Sequence, residues 1–161
     1  MKLPKVLAAI LCEDIRQEMT GKFSLAGVYA SDLMAPNIAA PFPCGVFAEI
    51  ISEATGVLHI EFRVTDGGGK ICVSGHSQTF FAEAGKQPFV LGPFQLIASE
   101  YGPIRFEWRL HGQKHARWVT IKSFDLRPIS QAIPGQIPDT VRELFSKILG
   151  SKPGTESKDP L

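Results

Sequence analysis

The sequence predicts an all-β protein, an antiparallel β-sandwich of immunoglobulin-like or C2-like architecture, with one amphipathic helix near its C-terminus. Short segments in which apolar and polar residues alternate recur along the chain, and this period of two is the pattern of a half-buried strand. Turn residues separate these segments at the spacing that is typical of sandwiches. The chain has 161 residues, of which 44% are hydrophobic, so one domain with a sizeable core is expected.

Two strands are predicted in the first thirty residues. The run 6–12 is apolar throughout, which indicates a strand buried on both faces, and the acidic pair Glu13-Asp14 is expected to end it. A turn at Thr20-Gly21 leads into a second strand at 22–29, where apolar residues alternate with small ones. Gly27 inside this strand indicates a bulge or a close backbone approach.

The middle of the chain is expected to cross from one sheet to the other. Residues 32–43 include three prolines, which lack the backbone donor of a sheet ladder and therefore predict a connection. Strands follow at 45–51 and 57–65, and the second of these alternates almost ideally. Residues 70–82 predict one long strand bent at Gly75, and the Gly92-Pro93 pair assigns segment 88–97 to a sheet edge.

The segment 104–121 predicts the clearest hairpin of the chain. Glycine at the first centre of the pair Gly112-Gln113 suits a two-residue type II′ turn. Pairing outward from that turn sets Phe106 opposite Val119 and Ile104 opposite Ile121, so these apolar side chains are expected on one inner face. Residues 124–128 then close the last strand of a sandwich domain that spans 1–128.

The C-terminal part predicts a separate helix. A Pro/Gly linker at 129–138 precedes it, and Thr140 with Glu143 can form a capping box. Apolar residues then recur at helical spacing through 139–149. The tail 150–161 is polar and is expected to be disordered. The apolar stripe of the helix can pack on the sandwich or in a partner's groove, and the sequence leaves both open.

Composition indicates a cytoplasmic protein. Cys12, Cys44 and Cys72 are an odd number, widely spaced and inside apolar runs, which predicts three buried free thiols in a reducing compartment. The N-terminal apolar run is interpreted as a strand because it is shorter than the core of a secretory signal. No run approaches the roughly 18 apolar residues of a membrane span. The net charge of +1 predicts no general affinity for polyanions or membrane surfaces.

No catalytic, cofactor or metal site is predicted. The chain has no nucleophile-elbow motif, and Cys72 and His76 are too far apart on a strand for a direct hydrogen bond. His111 and His115 are expected on opposite faces of the hairpin, with no carboxylate or third ligand near them. The prediction is therefore a non-enzymatic protein. A hydrolase whose site is built from distant loops remains an alternative, because catalytic groups meet in space rather than in sequence.

One candidate binding face is predicted on the outside of the hairpin. It consists of Arg105, Arg109, Lys114, Trp118 and Lys122. Exposed charges on a strand commonly just prevent edge-to-edge association, and arginine stems can cover a tryptophan. The same residues could also contact a partner protein, or stack and neutralise single-stranded nucleic acid. Which of these holds depends on whether Trp118 is exposed.

Several segments resemble a family of small bacterial proteins of unknown function. These are the acidic pair Glu13-Asp14 after the first strand, the second strand GKFSLAGVY at 21–29, the stretch PFQL at 93–96 and EYG at 100–102 before a strand–glycine–strand hairpin. The resemblance covers residues 5 to 127 and implies a compact β-sandwich. It implies no catalytic residue, and the helix at 139–149 lies outside it.

The functional prediction is a non-enzymatic binding or scaffold module of a bacterial cytoplasm, with another protein as its partner. The alternative is binding of single-stranded nucleic acid or another polyanion through the basic hairpin 105–122. No membrane and no cofactor is expected. The identity of the partner and the oligomeric state do not follow from the sequence.

Overall fold

The computed structural model describes residues 2–29, 32–35, 37–113 and 115–129, and nine β-strands make up its regular secondary structure. The all-β prediction is confirmed for this part of the chain. The strands are β1 (Lys5–Gln17), β2 (Phe23–Val28), β3 (Leu33–Ala35), β4 (Phe42–Ser52), β5 (Gly56–Thr65), β6 (Ile71–Phe81), β7 (Gly85–Leu96), β8 (Gly102–Leu110) and β9 (Val119–Pro128).

These strands form two sheets. The first sheet has the order β2-β1-β4-β7 and is antiparallel throughout. The second sheet has the order β3-β9-β8-β5-β6, and its pairs are antiparallel except for the parallel pair β3–β9. Strand β7 lies at the edge of the first sheet, as the Gly92-Pro93 pair predicts.

The core lies between the two sheets. The alternation predicted for β5 is confirmed, because its apolar set Leu58, Ile60, Phe62 and Val64 is at most 8% exposed. Aromatic rings join the sheets: Phe89 of β7 packs on Trp108 of β8 with centroids 5.0 Å apart, and Phe62 of β5 packs on Phe94 of β7 at 5.4 Å. Burial of one face of each sheet is the main stabilising term of such a two-layer fold.

The first strand differs from the prediction. It continues through Glu13-Asp14 to Gln17, and it is not buried on both faces, since Leu7 and Ile10 are each 40% exposed. The strands that pair with β1 explain its length. The part from Lys5 to Cys12 pairs with β4, and the part from Cys12 to Gln17 pairs with β2, so that Cys12 has a partner on both sides. Hydrogen bonds to β2 extend the strand beyond the apolar run.

The hairpin of β8 and β9 also differs from the prediction. Its connection is not a two-residue turn but the segment 111–118, in which Ala116 N–H donates to Gln113 O. Trp108 pairs with Val119 and Phe106 with Lys122, with a register shift between Phe106 and Glu107. The predicted pairing is therefore wrong, and Val119 is 45% exposed instead of buried. The bulge shifts the alternation of β9 after its first residues.

The crossover at 32–43 contains a strand that the three prolines did not predict. Residues Leu33–Ala35 form β3, which pairs in parallel with β9. All nine strands lie in one compact unit that ends at Ile129. The predicted linker, helix and tail lie outside the described residues, apart from Ile129. In the described part of the chain, no helix is long and apolar enough to cross a membrane.

Candidate functional site

The candidate site is the outer face of the second sheet around β5. Because side chains alternate along β5, the inward set is apolar and the outward set is His59, Glu61 and Arg63. The register then selects the neighbours of Glu61, which faces His76 of β6 on one side and Arg109 of β8 on the other. Polar side chains from three adjacent strands thereby meet on one surface.

Two ion pairs cross from β5 to β8. Arg63 Nε donates to Glu107 Oε2 at 2.7 Å, and Arg109 Nε donates to Glu61 Oε2 at 2.6 Å. All four side chains are less than a third exposed, so these pairs are less screened by water than surface pairs. The hydrogen bond from Arg109 is the largest influence that lowers the pKa of Glu61, although desolvation opposes it. The centre of the face therefore holds two positive and two negative groups that balance.

Trp118 packs over both arginines. The guanidinium carbons of Arg63 and Arg109 lie 4.4 and 4.5 Å from the centroid of its ring, within the range of cation–π contacts. The side chain is half-buried, neither open to solvent nor part of the core. The ring thus closes the ion-pair cluster from outside.

The predicted binding face is brought together only in part. Arg109 and Trp118 are in contact, but Arg109 is also neutralised by Glu61. Arg105 and Lys122 are exposed, and neither forms an ion pair with another described residue. Lys114 lies outside the described residues. The free positive charge of the face is therefore smaller than the hairpin sequence alone suggests.

Two histidines extend this face beyond the arginines. His111 Nδ1 lies 3.1 Å from Glu61 Oε1, and the rings of His76 and His111 meet edge to face with centroids 4.7 Å apart. One potential ligand atom from each of Glu61, His76 and His111 lies within 4.8 Å of the others. The expectation that His111 has no carboxylate nearby is wrong. Sequence reasoning missed Glu61 because β5 and β8 are distant in the chain, although the polar side of β5 was visible in its alternation.

The three cysteine thiols are not activated as nucleophiles. Cys12 and Cys44 are buried free thiols, and desolvation raises the pKa of both, that of Cys44 to about 12. Cys72 is half-exposed, so the prediction of a buried thiol is wrong at this position, and desolvation still raises the pKa of the thiol. Such thiols are poor nucleophiles, because the reactive species is the thiolate. Among the hydrogen bonds of the described residues, none joins a serine or cysteine side chain to a histidine.

A second feature lies at the margin of this face, where β6 forms the edge of the sheet. β6 pairs with β5 on one side, and no described strand pairs with its other side. Its sequence, ICVSGHSQTFF, contains no Lys, Arg, Asp, Glu or Pro. Phe80 near its end is 68% exposed. A groove of about 440 Å³ beside it is lined by residues 77–80 of β6 and by Ile15, Gln17, Phe23, Pro88, Phe89 and Val90.

No protein-family model matches the chain, and no curated protein matches its sequence. The resemblance to a bacterial family, drawn from residues 13–29 and 93–102, stays a prediction.

Proposed function

We propose that this chain is a non-enzymatic protein-binding module, and that its partner adds an extended segment as a new strand along β6. The observation that carries the proposal is the composition of this edge. Its eleven residues include no proline, and the only formal positive charge that they can carry is that of a protonated His76. A long, neutral edge presents a row of unpaired N–H and C=O groups, which is the template for strand addition.

The other sheet edges support this choice by contrast. β7 carries Pro88 and Pro93, which cannot donate to an added strand. β3 has only three residues, and β2 is a short strand of six that includes Gly27 at a positive φ of 61°. Short or proline-bearing edges are the usual protection against pairing with another chain. β6 is the long edge without such protection.

The groove supports an extended peptide as the occupant. Strand addition takes its affinity from main-chain hydrogen bonds and its specificity from pockets for alternate side chains. The groove lies beside the end of β6, and exposed Phe80 is one of the apolar residues in its lining. The apolar part of the lining is Ile15, Phe23, Phe80, Pro88, Phe89 and Val90, and the polar part is Gln17, Ser77, Gln78 and Thr79. We infer a partner segment that places an apolar side chain there.

The strand order supports an immunoglobulin-like assignment. β1, β4 and β7 correspond to strands A, B and E of that fold, and β5, β8 and β9 correspond to C, F and G, in the same neighbour relations. The assignment supplies no function by itself, since such folds host many. Three free cysteines support a reducing compartment such as the bacterial cytoplasm.

A selection from a displayed library of random twelve-residue peptides tests the proposal. We expect the full-length protein to enrich peptides with alternating apolar residues. The double variant Gln78→Lys with Phe80→Lys should not bind them, because two lysines at the edge oppose an added strand. The matched control is Val119→Lys, which charges an exposed apolar residue on β9 instead. Failure to enrich any peptide, or equal binding by the β6 variant, would refute the proposal.

The alternative function is binding of single-stranded nucleic acid by the hairpin 105–122. The exposed cations Arg105 and Lys122 favour it, while the pairing of Arg109 with Glu61 weakens it. This alternative predicts salt-dependent oligonucleotide binding that is lost in Arg105→Glu with Lys122→Glu, a pair that leaves the ion-pair cluster intact. Fluorescence anisotropy at low salt measures it, and an unchanged signal on adding protein would dispose of it.

A further inference from the structure

Three of the four histidines of the chain line one cavity on the outer face of the second sheet. The cavity has a volume of about 210 Å³ and is lined by His59, Ile60, His76, Ser77, Gln78 and His111. The fourth histidine, His115, lies exposed in the loop between β8 and β9. These three histidines come from β5, from β6 and from the residue after β8, so the sheet and not the local sequence brings them together.

Glu61 completes a ligand set with two of these histidines. Two ligand atoms that each lie about 2.0–2.1 Å from a tetrahedral zinc ion are about 3.4 Å from one another. Glu61 Oε1 and His111 Nδ1 are already 3.1 Å apart. The three ligand atoms all lie within 4.8 Å of one another, so the remaining gap is one that rotation of an imidazole can reduce. Both histidines are exposed and can make that rotation.

The carboxylate is held in place for this role. Arg109 bonds to Oε2 of Glu61 and leaves Oε1 directed at His111. Arg109 is itself fixed, because its guanidinium packs on Trp118. A ligand whose other oxygen is hydrogen-bonded by a packed side chain loses little freedom when it coordinates a metal.

We propose that Glu61, His76 and His111 bind one divalent transition-metal ion, and that Zn²⁺ is the ion that fits this ligand set. Two imidazoles and one carboxylate suit zinc, whereas Ca²⁺ and Mg²⁺ prefer oxygen ligands alone. Water would complete the coordination of an ion held by these three side chains. The site is independent of strand addition at β6, since it uses the outward side chains of the sheet and not the backbone of its edge.

Calorimetric titration of the EDTA-treated full-length protein with ZnCl₂ tests the proposal. We expect one ion per chain, and an affinity that falls by about 100-fold in His76→Ala and in His111→Ala. Glu61→Gln should weaken binding while keeping the approximate shape of the side chain. Each variant is checked by circular dichroism, so that a loss of fold is not mistaken for a loss of a ligand.

Two control variants separate this site from other zinc ligands. His115→Ala removes the histidine outside the cavity, and Cys72→Ser removes the half-exposed thiol, a soft ligand on the same sheet. Both should keep the wild-type affinity. With Co²⁺ in place of zinc, the absence of a sulfur-to-metal charge-transfer band should exclude cysteine ligation. A Kd weaker than about 1 mM, unchanged binding in the two histidine variants, or loss in either control would overturn the proposal.

Discussion

At the residue scale, Asp66 shows how one buried carboxylate organises two loops. It is fully buried at the end of β5. Its Oδ1 accepts from Lys70 N–H at 2.9 Å, and its Oδ2 accepts from Ser99 N–H at 2.9 Å and from Ser99 Oγ–H at 2.6 Å. The turn after β5 is thereby tied to the segment between β7 and β8. In the sequence, Asp66 is only the first residue of a glycine-rich turn, and nothing nearby indicates its distant partner.

Asp66 should make stability depend on acid pH. Desolvation raises the pKa of this group, but the hydrogen bonds from Ser99, Lys70 and Glu100 outweigh it and hold the pKa below its ordinary value of 3.8. The stabilisation is therefore complete above that ordinary value and is lost as pH falls through the folded-state pKa. We expect Asp66→Asn to cost about 2–3 kcal/mol at pH 7 and to reduce the acid dependence of unfolding. Urea unfolding at pH 7 and pH 3 measures both, with the exposed Glu53→Gln as control.

The two tryptophans of the hairpin should differ in their contribution to stability. Trp108 is fully buried against Phe89, with its Nε1 unpaired among the described residues, whereas Trp118 is half-buried and covers two guanidinium groups. Trp108→Ala should cost about 3–5 kcal/mol, because it leaves a core cavity. Trp118→Ala should cost about 1–2 kcal/mol, the sum of two cation–π contacts. Equal costs in chemical unfolding would mean that Trp118 belongs to the core.

At the element scale, β6 depends on a glycine that its neighbour covers. Gly75 pairs with Phe62, and a Cβ at this position would lie 2.9 Å from the Cζ of that ring. The ring is held from its other side by Phe94 of the opposite sheet. The sequence predicts a long strand here with a bend at Gly75, and the structure adds the reason for glycine, which is space for an aromatic ring.

Gly75→Ala should destabilise the fold although alanine is compatible with a strand. The added methyl group must displace Phe62, and such overpacking typically costs about 1–3 kcal/mol. The neighbouring substitution Ser74→Ala, at an exposed position of the same strand, should change the free energy of unfolding by less than about 0.5 kcal/mol. Thermal and urea unfolding of the two variants measure the difference in their free energies of unfolding. A Gly75→Ala protein as stable as wild type would show that Phe62 has room to move.

At the scale of the whole molecule, the periodicity of the sequence predicted the strands whose position depends on residues that are near in the chain. β5 was placed correctly because its alternation is regular and one of its faces is buried. The pairing of β8 with β9 was predicted wrongly, because a bulge and an eight-residue loop replace the tight turn that Gly112-Gln113 suggested. β3 is held by a parallel pairing with β9, a contact between distant segments that no local pattern encodes. The same holds for the cluster of Glu61, His76 and His111, which exists only through the order of the strands.

Hydrogen exchange of the backbone amides tests the central claim, strand addition at β6, most directly. The full-length protein is measured alone and with the selected peptide bound. We expect slowed exchange concentrated in Ile71–Phe81, because an added strand pairs with the free N–H groups of this edge. Unchanged exchange in β6, with protection on the hairpin of β8 and β9 instead, would contradict the account.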